Sequence, residues 1–132
     1  MLFRSRVPDF VEEVLRLESP TQGLWRSVAE DTEIDGVAIP AGSLVHMRYA
    51  SGNRDERRFP NPTTVDLDRS NSRQHMAFSL GEHHCPGADL TRLEQVLTHK
   101  AVLRRLPNLR FTPDANDFTQ DRKSTRLNSS HT

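Results

Sequence analysis

One ten-residue stretch organises the chain, and it reads Phe78-Ser79-Leu80-Gly81-Glu82-His83-His84-Cys85-Pro86-Gly87. It holds the only cysteine of the protein, Cys85, directly before a proline. Because proline has no N–H to lose at the first position of a helix, Pro86 predicts that a helix begins next to the cysteine. Free backbone N–H groups and the positive end of the helix dipole favour a charged thiolate there. Cys85 is therefore a candidate metal ligand or reactive thiol, with a buried core residue as the remaining alternative.

A helix is predicted on each side of this stretch. The first begins near Pro8, with acidic residues in its first turns, and ends before Pro20. The second runs from Pro86 to about Leu106. The apolar residues of the second helix follow the spacing of one helix face and require a partner surface, and they are Leu90, Leu93, Leu97 and Ala101.

Short strands are predicted between the two helices. Asp35-Gly36 is a strong signal for a two-residue hairpin turn, and β-branched residues flank it. We therefore predict a hairpin of residues 32–34 and 37–39, joined by a third strand over residues 43–47 in one antiparallel sheet. A long coil and one last strand follow, at residues 59–74 and 109–111. The predicted fold class is mainly α with a small antiparallel β-sheet (α+β).

Composition limits the classes of function. The chain has 132 residues, 34% of them hydrophobic, and a formal net charge of zero, which favours one small domain or a piece of a larger one. The balanced charge gives no indication of nucleic-acid or membrane binding. No apolar run approaches the roughly 18 residues of a spanning helix, and Arg4 interrupts the apolar start, so no signal peptide is expected. A single cysteine fits a reducing compartment, and we expect a cytoplasmic protein.

The stretch at residues 78–87 resembles the haem-binding signature of the cytochrome P-450 family of haem-thiolate monooxygenases. The resemblance rests on five typed positions, which are Phe78, Gly81, His83, Cys85 and Gly87. It implies that Cys85 is the axial iron ligand of haem b, in a loop shaped by Phe78, Gly81 and Gly87. A thiolate ligand pushes electron density towards bound dioxygen and favours O–O cleavage.

The resemblance also assigns residues outside this stretch. It implies that Arg26, His75 and His83 hold the haem propionates, for which a guanidinium is suited because it bonds carboxylates in bidentate fashion. Read without the resemblance, Arg26 is an ordinary surface residue.

Three further residues are implied to hold the cysteine stretch in place. Glu13 and Arg16 lie three apart on the first helix, and spacing alone predicts an exposed ion pair of little value. The resemblance instead implies a buried network of this pair with Arg69.

The resemblance covers residues 7 to about 120 and implies the C-terminal portion of a bacterial-type soluble member. The parent enzyme would insert one oxygen atom from dioxygen into a small organic substrate. Its electrons would come from a ferredoxin or flavodoxin-type donor that docks outside Cys85. The resemblance implies a long central helix that packs against the second helix, and a helix that carries the oxygen-activating residues. Neither has a counterpart in the sequence. No catalytic residue is therefore assigned, and the chain alone is expected to be inactive.

The last twelve residues, 121–132, look like a translated sequencing adaptor. We expect a non-native, disordered tail there, and a haem-binding portion over residues 1–120.

Two other functions stay open at this stage. One is a haem-binding piece without catalysis. The other is a small zinc-stabilised interaction domain, built from one thiolate and the imidazoles of His75, His83 and His84. Three successive ligands at residues 83–85 would point their side chains apart, which disfavours zinc.

Overall fold

The computed structural model describes residues 5–110. The helices and strands of this part follow in the order α1 (Val7–Leu17), β1 (Leu24–Ser27), β2 (Thr32–Ile34), β3 (Val37–Ile39), β4 (Leu44–Met47), α2 (Tyr49–Gly52) and α3 (Ala88–Arg105). Short 3-10 turns lie at Ser72–Gln74 and Gly81–His83. Helices therefore dominate and the strands are short and antiparallel, in agreement with the predicted class.

Helix α1 forms the centre of the core. Proline lies in its first turn, where no helical N–H is lost, and Ser19 caps its end by donating its hydroxyl to the carbonyl of Leu15 at 2.8 Å. The residues that it buries in the hydrophobic core are Val7, Val11 and Leu15. Side chains of α3 and of the cysteine stretch pack against them, and these are Val96, Leu103, Ala77 and Phe78.

The strands differ from the prediction in their pairing. The hairpin turn is as predicted, with Asp35 and Gly36 in left-handed conformations (φ 51° and 77°), and β2 pairs with β3. The predicted three-stranded sheet is wrong, because β4 pairs instead with β1, a segment in which no strand was predicted. Leu24 lies opposite Met47 in this ladder. Pairing between segments about twenty residues apart leaves no local turn signal, so the spacing of residues does not reveal it.

Helix α3 is apolar on two sides. Val96 and Leu103 face α1, whereas the predicted stripe lies on the other side, where Leu90, Leu93 and Leu97 are 55–60% exposed. The helix spans Ala88–Arg105, close to the predicted bounds. No helix within residues 5–110 is long and apolar enough to cross a membrane. The predicted last strand is absent at Leu109 and Arg110, and its third residue lies outside the described part.

A long coil connects α2 to the 3-10 turn at Ser72–Gln74, as predicted, and turns but neither helix nor strand occur along it. Its main apolar anchor is Phe59, which is 1% exposed. The guanidinium of Arg16 lies 5.3 Å from the centre of that ring. The coil is thus held against α1 by a charged residue of the helix.

Candidate cofactor site

The cysteine loop, which we define as residues 76–87, is closed by its own backbone. The N–H of Cys85 donates to the carbonyl of Phe78 at 2.8 Å, and the N–H of His84 donates to Gly81 at 3.0 Å. Ser79 and Gly81 both adopt left-handed conformations, with φ of 62° and 66°. The second costs nothing for glycine, whereas the first is unfavourable for serine. The loop is therefore a defined turn rather than an extended segment.

Cys85 lies just before α3, as its sequence context predicts. Its carbonyl accepts the N–H of Ala88 at 3.2 Å, and Gly87 occupies the N-cap position. The thiol is free and half-buried. A side-chain carbon added at Gly87 would lie 3.8 Å from the Cys85 sulfur, so the absence of a side chain leaves the sulfur open on that side. The helix start and the open sulfur suit a thiolate ligand.

Two adjoining depressions lie on the same face of the molecule. One, of about 330 Å³, is lined by Cys85 and Phe78 together with apolar residues such as Leu15 and Leu24. The other, of about 360 Å³, is lined by Arg26, Arg48, His83 and several apolar side chains. The two share three lining residues, which are Tyr49, Ser79 and His83. The structure thus brings the Cys85 sulfur, the Phe78 ring and two of the predicted basic residues to one continuous face.

Among the described residues, no acidic side chain lines the depression that holds Arg26. Arg26 lies on β1 and donates to the carbonyl of Trp25 at 3.0 Å, and no ion pair joins it within residues 5–110. Arg48, which the sequence analysis did not single out, lines the same depression. A flat ligand with an iron centre and carboxylates at one edge fits this donor set: a sulfur, an apolar floor and cations at one end.

A buried cluster of three charged residues, the Glu13 cluster, joins α1 to the coil and is formed by Glu13, Arg16 and Arg69. Arg16 donates to both carboxylate oxygens of Glu13, at 2.8 and 3.0 Å, and Arg69 donates to one of them at 3.1 Å. The side chains of Glu13 and Arg16 are completely buried, and that of Arg69 is 4% exposed. The exposed pair that spacing alone predicts is therefore not what forms.

The Glu13 carboxylate is held in its charged form. Burial opposes ionisation, but the hydrogen bonds from Arg16, from the backbone N–H of Asp66 and from Arg69 together outweigh it and lower the pKa of Glu13. The two arginines also donate to carbonyls of the coil, including that of Pro62 at 2.7 Å and that of Pro60 at 2.8 Å. The cluster thus fixes the path of the coil around α1.

A second cluster, the Glu12 cluster, is formed by Glu12, His75 and Arg92. Arg92 donates to Glu12 Oε1 at 2.8 Å, and His75 Nε2 lies 3.1 Å from Glu12 Oε2. Burial opposes ionisation of Glu12, but its hydrogen bonds to His75 and Arg92 outweigh this and lower the pKa of the carboxyl. Sequence reasoning missed this cluster. The only signal was the position of Arg92 off the leucine stripe of α3.

The predicted contact of His75 with a propionate is not supported by the geometry. The ring is fully buried, and both of its nitrogens are engaged within the protein. Nδ1 accepts the N–H of Ala77 at 3.1 Å, which leaves Nε2 as the donor to Glu12. The ring of His75 therefore has no free donor for a ligand in the two depressions.

The other histidines of the described part are not grouped as a metal centre. The ring of His84 lies edge-on to Phe78, and its Nδ1 is 3.3 Å from the carbonyl of Ser79. Within residues 5–110, no three histidine, cysteine, aspartate or glutamate side chains are grouped to hold a metal ion.

A sulfur at a helix start, on a partly apolar face with basic residues at one end, is the arrangement of a thiolate-ligated cofactor site. The sequence model of the family described as Cytochrome P-450 matches residues 7–127. The chain belongs to the cytochrome P-450 family.

Curated relatives agree with this assignment. The chain is 45% identical over 108 residues to 20-oxo-5-O-mycaminosyltylactone 23-monooxygenase of Streptomyces fradiae. It is 41% identical over 110 residues to the steroid C26-monooxygenase of Mycobacterium tuberculosis (strain CDC 1551 / Oshkosh). These alignments cover 82% and 83% of this chain but 26% and 29% of the relatives, so the chain spans less than a third of their length.

Solved structures match the fold as well. CYP109E1 from Bacillus megaterium, solved in complex with testosterone, superposes with a TM-score of 0.80 at 35% identity, over 86% of this chain and 31% of that one. Cytochrome P-450 CREJ superposes with a TM-score of 0.79 at 39% identity, over 82% and 27% of the two chains. The chain therefore has part of the cytochrome P-450 fold.

Proposed function

We propose that the chain is the haem-binding portion of a cytochrome P-450 monooxygenase, with Cys85 as the axial iron ligand of haem b. The observation that carries the proposal is the position of the half-buried Cys85 sulfur at the start of α3, beside a face that Phe78 lines and Arg26 extends. Bound haem supplies an iron centre at which a thiolate ligand favours O–O cleavage.

The residues of this face then have separate tasks. Arg26 and His83 pair with the propionates, since both line the basic depression. Phe78 shields the sulfur from water, and Gly81 and Gly87 shape the loop around it. His75, which the sequence analysis placed on a propionate, belongs instead to the support of the loop.

The support comes from residues that line neither depression. The Glu13 cluster braces the coil with Glu13, Arg16 and Arg69, and its completely buried ion pair makes this bracing rigid. An ion pair of this kind is costly to disturb, because removing one partner leaves an uncompensated buried charge.

The activity belongs to the whole protein, of which this chain spans a part. We propose that the parent enzyme inserts one oxygen atom of dioxygen into a small organic substrate, as the names of the monooxygenase relatives support. Its electrons come from a ferredoxin or flavodoxin-type donor that docks outside Cys85. The single free cysteine favours the reducing cytoplasm as its location. We expect the chain by itself to turn over no substrate.

The test of the cofactor is spectroscopic. The purified chain is mixed with haem, reduced and exposed to carbon monoxide, and a far-red-shifted Soret band is expected for thiolate ligation. Cys85→Ala should lose this band, whereas His84→Ala should keep it, because His84 lines neither depression. An unshifted band in the wild-type chain, or failure to take up haem with zinc found by elemental analysis, would contradict the proposal.

We also propose that residues 121–132 are not native. Their resemblance to adaptor sequence supports this proposal. The family match runs on to residue 127 and so counts against it for residues 121–127. Reading the encoding DNA beyond Gln120 in an independent clone decides the matter. Recovery of the same twelve codons would show that the tail is natural.

A further inference from the structure

In the described part of the chain, no hydrogen bond joins the Glu13 cluster directly to the cysteine loop. Within residues 5–110, the hydrogen bonds that leave the cluster end on backbone atoms of the coil, between residues 53 and 66. One of them leads further. Arg16 donates to the backbone carbonyl of Asn53 at 2.9 Å, and the side chain of Asn53 reaches the loop.

Asn53 uses both ends of its amide. Its Oδ1 accepts the backbone N–H of Met76, the first residue of the cysteine loop, at 2.7 Å. Its Nδ2 donates to the hydroxyl of Ser19 at 3.0 Å, and that hydroxyl donates to Leu15 at the end of α1. The residue is 0% exposed, so water cannot replace these partners. The orientation of the amide is therefore determined from both sides.

The neighbouring glycine places the side chain of the same loop residue. A carbon added at Gly52 would overlap the terminal methyl of Met76. The backbone of α2 is thus in direct contact with the Met76 side chain, while Asn53 holds the Met76 N–H. Both the main chain and the side chain of the first loop residue are fixed by the same two-residue segment.

We propose that Asn53 is a positioning residue that transmits the rigidity of the Glu13 cluster to the cysteine loop. It holds the Met76 N–H, and through that point it sets the path of the chain that leads to Cys85. The role of Asn53 in positioning the Cys85 sulfur for a cofactor rests on the proposed haem-binding function. The hydrogen-bonded connection itself does not depend on that function.

The first experiment uses the full chain without haem and measures amide hydrogen exchange. Asn53→Ala should accelerate exchange at Met76 by about tenfold or more, since a buried N–H loses its acceptor. Exchange at Val11 and Leu15, in the core of α1, reports the overall stability and should accelerate much less. Equal acceleration in α1 and at Met76 would overturn the proposal, and so would unchanged exchange at Met76.

Two further variants separate the loop contact from general packing. Asn53→Asp keeps an oxygen that can accept from Met76 but loses the donor to Ser19 and buries a charge, so exchange at Met76 should be slower than in Asn53→Ala without returning to the wild-type rate. Ser19→Ala removes the acceptor of Nδ2 and leaves the Met76 contact in place, so it should leave exchange at Met76 close to that of the wild type. If Asn53→Ala does not fold, the comparison of Asn53→Asp with Ser19→Ala still decides. Faster exchange at Met76 in Ser19→Ala than in Asn53→Asp would overturn the proposal.

The second experiment links the contact to the cofactor. The haem-loaded chain is reduced and exposed to carbon monoxide, at a temperature where α1 is intact in both variants. Asn53→Ala should then lower the share of haem that gives the red-shifted Soret band more than Ser19→Ala does. An equal loss in the two variants would overturn the positioning role. If the wild-type chain binds no haem, the proposed function fails, while the exchange experiment still decides whether Asn53 holds the loop.

Discussion

The guanidinium of Arg92 lies over the ring of Phe78, 4.8 Å from its centre. The same guanidinium donates to the buried carboxylate of Glu12 at 2.8 Å. The Arg92 side chain, on α3, therefore contacts both the cysteine loop and a carboxylate of α1. Phe78 thus contacts a cation of α3 and also lines the depression beside Cys85.

The stacking of Arg92 on Phe78 predicts a measurable coupling between them. Arg92→Lys keeps a positive charge beside Glu12 but loses the flat guanidinium, and Phe78→Leu removes the ring. A double-mutant cycle on the free energy of unfolding should give a coupling of about 0.5–1 kcal/mol. Arg104→Lys, an exposed change in the last turn of the same helix, is the control. A coupling no larger than that between Arg104→Lys and Phe78→Leu would contradict the contact.

Removal of the Glu13 charge should be severe. Glu13→Gln leaves the buried guanidinium groups of Arg16 and Arg69 without their counter-ion, and we expect a loss of about 3–5 kcal/mol in the free energy of unfolding. The measurement is unfolding by urea with two spectroscopic probes. Glu18→Gln, just after the same helix, is the control, because its side chain is 74% exposed. Similar losses in the two variants would rule out a buried network.

Acid should destabilise the chain through the same carboxylates. The folded state lowers the pKa of Glu12 and of Glu13 below the ordinary value of 4.5, so near that pH the unfolded chain binds more protons than the folded chain. Their stabilisation is therefore complete above about pH 4.5 to 5 and is lost as the pH falls through the folded pKa values. Urea unfolding measured between pH 7 and pH 3 should show this decline. Glu13→Gln should have a shallower decline, and an unchanged slope would contradict the assignment.

The left-handed conformation of Gly81 predicts a local defect on substitution. Gly81→Ala should cost about 1–2 kcal/mol of folding free energy, because its φ of 66° disfavours a side chain. Gly36→Ala is matched, since φ there is 77° and an added carbon has open space at both positions. The stability losses should be alike. Only Gly81→Ala should change the alkylation rate of Cys85, and equal rates in the two variants would show that the turn does not place the sulfur.

Features with short-range causes were accessible from the sequence. The hairpin follows from Asp35-Gly36, and the start of α3 follows from Pro86, because turn and cap preferences act within a few residues. The pairing of β1 with β4 was not accessible. It depends on which strand edge is free after the chain has folded, and no local pattern records this.

Sequence by itself determined the family and predicted Cys85 as the ligand of a cofactor: residues 78–87 combine a cysteine, a helix start and a turn glycine in one local signature. Only the tertiary structure decided what supports that site. It assigned His75 to Glu12 instead of to the ligand face, and it placed Asn53 between Arg16 and Met76. The physical reason is that a buried polar group takes whichever partner the packing brings within hydrogen-bonding distance, and these partners lie far away along the chain.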